Sequence, residues 1–180
     1  LQTLTLAALF STLSSLQGVF ERQFDRADSF PLWFAVIALA SMSGSILNSR
    51  IVMTLGMRRV ISRTYAAILG LTIVTLGLLG PGLLPAPLDF ALQMLWCIGL
   101  FAMMALTMGN LNALAMEPVG HIAGLAASVI SSAATVGSVL LAIPVGLAFN
   151  GTSTPLLAGI AALIGLALIL SRHALGAPRA

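Results

Sequence analysis

The sequence predicts an all-α integral membrane protein, one bundle of six transmembrane helices. Three observations carry that expectation. Of 180 residues, 59% are hydrophobic and only 7% charged, and the mean hydropathy is +1.08, too apolar for a surface kept in water. Apolar runs long enough to cross a hydrocarbon core of about 30 Å, which takes roughly 20 helical residues, recur six times. The arginines fall between these runs rather than within them.

The expected spans cover residues 2–20, 31–49, 64–83, 90–115, 122–148 and 155–171. In the first, Phe10, Ser14 and Gln17 recur at helical spacing and lead towards Glu21. Pro31 suits the start of the second, Asp89 is a candidate cap for the fourth, and Thr154 followed by Pro155 opens the sixth. The fourth adds Trp96, Phe101, Met103 and Met104 to the pair Asn110 and Asn112. The fifth carries a stripe of Ser128, Ser131 or Ser132, Thr135 and Ser138, with Pro144 loosening its later part. The sixth has almost nothing polar. No soluble domain interrupts the series, so residues 1–180 read as one domain.

Orientation follows from the charges. Arg50, Arg58, Arg59 and Arg63 follow the second span without an acid, and Arg172 and Arg179 follow the sixth. The other connections hold Glu21, Arg22, Asp25, Arg26, Asp28 and Asp89 and are net acidic. Arginine-rich connections stay in the cytoplasm, which places both termini there. The pI near 10.5 thus reflects membrane topology, not a nucleic-acid surface. Cys97 is the only cysteine, which excludes an intrachain disulfide. The chain opens on Leu1 with apolar sequence at once and reads as starting inside a larger protein.

The stretch GNLNALAMEPVGHIAG, from Gly109 to Gly124, gathers the unusual polarity. Asn110 and Glu117 are seven residues apart and share a helix face, with Asn112 pointing the other way. Pro118 stops the helix, and Gly120 lets the next one begin near His121. Glu117 and His121 therefore sit in a short cytoplasmic turn, either as a capped connection or as a gating or coupling element.

This stretch, with the small-residue helix AASVISSAATVGSVLLAIPVG after it, resembles the tenth-to-eleventh helix region of major facilitator superfamily transporters, notably the bicyclomycin-resistance-like drug/proton antiporters. GSILNSRIVMTLGMRRV, from Gly44 to Val60, resembles the cytoplasmic loop between helices eight and nine of the same group. The resemblance implies one half of a twelve-helix major facilitator fold, the carboxyl-terminal six helices, in a bacterial inner membrane. Gly44, Arg50, Gly56, Arg58 and Arg59 follow the family's loop signature loosely, with Asn48 where an acid is expected and with longer spacing. A cluster of arginines anchored to anionic headgroups is the other reading of that loop.

The resemblance further implies a central cavity lined by spans one, two, four and five, with spans three and six facing outward and Thr72 on the outer third span. The cavity candidates are Ser14, Gln17, Phe101, Asn110, Ser131 and Thr135. Gating candidates are Arg50, Gly56, Arg58, Arg59, Glu117 and His121. Expected partners are the lipid bilayer, a small amphipathic substrate, protons, and the missing amino-terminal half or another half-transporter. No cofactor or metal is expected. No span has a titratable group near its centre, so the coupling carboxylate is expected in the other half. The alternative is a non-transporting scaffold or assembly partner. An intramembrane enzyme is disfavoured: His121 and His173 lie near span ends, and no G-x-S-x-G or H-E-x-x-H segment occurs.

Overall fold

The computed structural model describes residues 1–176, so Arg179 of the basic tail lies outside the described residues. Leucine and alanine dominate the runs, favouring helix. The described residues form α1 (Gln2–Arg22), α2 (Phe30–Ser41), α3 (Ser43–Leu55), α4 (Met57–Leu79) and α5 (Ala86–Met116). A 3-10 turn (Glu117–Ile122), α6 (Ala123–Leu147) and α7 (Thr154–Gly176) complete them. Five stretches are long and apolar enough to cross a membrane; one of them, Ala86–Leu147, joins α5 and α6 through the 3-10 turn. The fold is compatible with an integral membrane bundle.

The element bounds differ from the expected spans in an instructive way. The second run continues to Leu55 as a bent rod, with the Ser41 and Ser43 hydroxyls donating to the Ile37 and Ala40 carbonyls, both at 2.6 Å, beside the break at Met42. Its end is set by Gly56, whose φ of 77° belongs to a conformation that favours glycine. The next helix starts at Met57 rather than residue 64. Arg50, Arg58, Arg59 and Arg63 consequently stand on helices, not in a loop, because hydropathy marks where a membrane ends and arginine continues a helix well. Pro85, not Asp89, occupies the cap of α5; Asp89 lies in the first turn with Oδ1 buried and unpartnered.

Side-chain pairs fix the directions. Phe20 meets Phe90 with ring centroids 5.5 Å apart, and Gln2 donates to Asn112, so α1 and α5 are antiparallel. Thr3 lies against Gly137, Ser14 beside Gly146 and Gly18 against Phe149, so α1 and α6 run parallel. Trp96 to Thr72 and Gly99 to Ile68 set α4 antiparallel to α5, and Ser62 to Ser171 sets α7 antiparallel to α4. The chain therefore reverses across the 3-10 turn.

Two ends of opposite charge result. Arg50, Arg58, Arg59, Arg63, Arg172 and Glu117 lie at one; Glu21, Asp25, Asp28, Asp89, Arg22 and Arg26 lie at the other. Both α1 and α4 begin at the arginine end, tied by Thr5 and Tyr65 hydroxyls 2.6 Å apart. The acidic end is closed by edge-to-face contacts of Phe20 with Phe24, Phe30 and Phe90, with the Arg26 guanidinium 4.4 Å above Phe90.

One expectation needs correction. Thr72 does not lie on an outer face: it is fully buried, and its hydroxyl accepts the Trp96 indole N–H at 2.9 Å. Ile61, Tyr65, Thr72 and Thr75 of α4 all turn inward against α5 and α7, and only the opposite stripe of that helix faces out. A helix at the periphery of a bundle still packs one face.

Candidate functional site

The candidate site is the open side of α1 and α6. On α1, Ser11, Thr12 and Ser15 turn into the bundle, whereas Ser14, Gln17 and Glu21 are exposed on a shared stripe. Ser14 donates to the Ser11 carbonyl at 3.0 Å. It borders a groove of about 340 Å³ with Phe10, Val139, Ala142, Ile143 and Gly146. Apolar walls with one hydroxyl are suited to a small amphipathic molecule.

Ser131 and Thr135 are exposed on α6, and the Thr135 hydroxyl donates to the Ser131 carbonyl at 2.8 Å. The structure does not bring this pair to Ser14 and Gln17. Thr3 is level with Gly137 and Ser14 with Gly146, so Ser131 lies roughly 20 Å nearer the arginine end. Level with Ser131 and Thr135, a second groove of about 470 Å³ is lined by Gln2, Thr3, Leu111, Leu114, Ile130 and Ala134.

The remaining cavity candidates are packed elsewhere. Phe101 is half-buried and meets Phe34 edge-on at 5.9 Å. Asn110 is buried between α3 and α5, where its Nδ2 donates to Asn48 Oδ1 and to the Leu106 carbonyl, both at 2.8 Å. Asn48 was read only as standing where a loop acid is expected, and Gln2 was not singled out in the sequence, although uncharged polar residues within apolar runs were a signal. The same holds for Gln93, fully buried with Oε1 unpartnered and Nε2 3.6 Å from the Cys97 sulfur.

At the arginine end, Glu117 and His121 stand exposed on the 3-10 turn, which Val119 kinks at φ −124° and ψ 29°. Gly56 separates Arg50 on α3 from Arg58 and Arg59 in the first turn of α4. Among the described residues, no three His, Cys, Asp or Glu side chains gather to hold a metal ion. Fold and face thus define a class, an apolar helical bundle with one sparsely polar open side. No family model matches the chain, and neither a curated protein nor a solved structure matches it.

Proposed function

We propose that the chain is half of a membrane secondary transporter, crossing the bilayer six times and moving small amphipathic compounds, with proton-coupled efflux as the mode. The observation that carries this reading is the asymmetry of the bundle. Ser14 and Gln17 of α1 and Ser131 and Thr135 of α6 are exposed along the helices, while α4 buries Thr64, Thr72 and Thr75 and α5 buries Gln93, Thr107 and Asn110; the polar groups that α4, α5 and α7 expose, among them Arg59, Arg63, Asn112 and Arg172, stand towards the arginine end. A bundle built only to sit in lipid gains nothing from exposed glutamine and hydroxyls at that depth. Rocking of two such halves around a midplane site is the mechanism this face serves, and the second half supplies the opposite wall and the coupling carboxylate. Resemblance in the Gly109–Gly124 and Gly44–Val60 stretches points to the major facilitator type, and the arginine-rich connections point to cytoplasmic termini.

A scaffold role is the second reading, favoured by the position of the charges, all of which lie towards the bundle ends among the described residues. Expression of this chain, alone and within its full reading frame, in cells lacking efflux pumps separates the two. Uncoupler-sensitive lowering of a fluorescent cationic dye by the full frame supports transport. Dye levels equal to those of empty-vector cells in both cases remove drug efflux and favour the scaffold.

A further inference from the structure

α4 turns Val60, Ile61, Thr64, Tyr65, Ile68 and Thr72 inward. On its outer stripe stand Arg59 and Arg63, then Ala67, Gly70, Ile73, Val74 and Gly77. The two arginines are one helical turn apart on one face. Among the described residues neither guanidinium has an ion-pair or hydrogen-bond partner, and the chain has no Asp or Glu between Ser29 and Leu88.

Below the arginines the surface is apolar and furrowed. A Cβ added to Gly70 or Gly77 would meet nothing within 4 Å, whereas Ile73 and Val74 project beside them, each more than half exposed. Roughly 20 Å of helix separates Arg63 from Gly77, enough to accompany an acyl chain through one leaflet about 15 Å thick. α3 repeats the pattern across Gly56: Arg50 shares a face with Ile46 and Met53, and Met53 is 86% exposed. Paired cations above an apolar furrow complement a molecule with an anionic head and a long hydrocarbon tail. The guanidinium fork matches phosphate oxygens in a way that an ammonium does not.

We propose that Arg59 and Arg63 hold the headgroup phosphate of an anionic phospholipid whose acyl chain lies along Ala67, Gly70 and Gly77. This site is on the outside of the bundle and is independent of the transport reading.

The test uses the purified chain reconstituted in phosphatidylcholine bilayers containing phosphatidylglycerol, with native mass spectrometry of the lipids that stay bound after extraction. Phosphatidylglycerol is expected to be enriched over its share of the bilayer. Arg59→Gln with Arg63→Gln lowers the enrichment about thirtyfold, roughly fivefold for each arginine near the surface. Gly70→Phe, which fills the furrow and leaves both charges, lowers it as well. Arg59→Lys with Arg63→Lys keeps a clear enrichment, so a misfolded glutamine double variant is recognised and does not mislead. Arg172→Gln, at the same end, leaves the enrichment unchanged. Retention of the two lipids in their bilayer ratio, or an enrichment that survives the glutamine pair, overturns the proposal. Displacement by excess inorganic phosphate also overturns it, since it would reveal a bare anion site.

Discussion

Replacing Thr72 by valine keeps the shape of the side chain and removes only the oxygen that accepts the Trp96 indole N–H. Both residues are fully buried, and the bond is 2.9 Å long. With valine in place the indole donor faces hydrocarbon. An unmade hydrogen bond of a buried donor costs about 1–3 kcal/mol, while interhelical bonds in membrane proteins average about 0.6 and reach about 1.7 kcal/mol. The threonine hydroxyl also donates to the Ile68 carbonyl at 2.7 Å, a bond within α4 whose loss adds little. Thr72→Val should therefore destabilise the bundle by about 1–1.5 kcal/mol. Reversible unfolding in mixed detergent and dodecyl sulfate measures it. A cycle with Trp96→Phe isolates the bond, with an expected coupling of about 0.6–1.7 kcal/mol. A coupling below about 0.3 kcal/mol would show that the indole finds another partner and that α4 is not clamped to α5 here.

Gly44→Val places a Cβ where the Ala102 carbonyl oxygen is 2.8 Å away and its Cα 3.0 Å away, so α3 must move off α5. The expected loss is about 1–3 kcal/mol, and Ala102→Gly should not restore it, because the closest obstacle is backbone; full rescue would refute the geometry. Gln17→Leu, on the open side of α1, should leave the unfolding midpoint within about 0.5 kcal/mol of wild type and lower transport by the complete protein. Asn110→Leu should instead cost about 1 kcal/mol through the lost bond to Asn48, and equal stability of the two variants would contradict these placements.

Much of the helix layout was legible because the long apolar runs are separated by stretches that carry Gly, Pro or charge. The polar stripe of α1 was legible too, since 3.6-residue periodicity places Ser14 and Gln17 together whatever surrounds them. Partners were not legible. Periodicity places Asn110 on a face, but only the packing of α3 against α5 brings Asn48 to it, and nothing local in α4 announces that Thr72 meets an indole. The ends of α3 and α4 were misplaced for a different reason: arginine is a good helix former that lipid excludes, so a helix continues where an apolar run stops.

The division of charge between the two ends makes the bundle an object that an electric field can orient. Five arginines against one glutamate stand at one end, and two arginines against four acids at the other, for net charges of +4 and −2. Carrying one charge through 100 mV takes about 2.3 kcal/mol. Starting with the arginine end on the negative side, turning the bundle over in a membrane energised to that voltage would move six charge equivalents against the field, roughly 14 kcal/mol of electrical work. That work depends on the potential alone and would oppose inversion of an already inserted bundle for as long as the membrane stays energised.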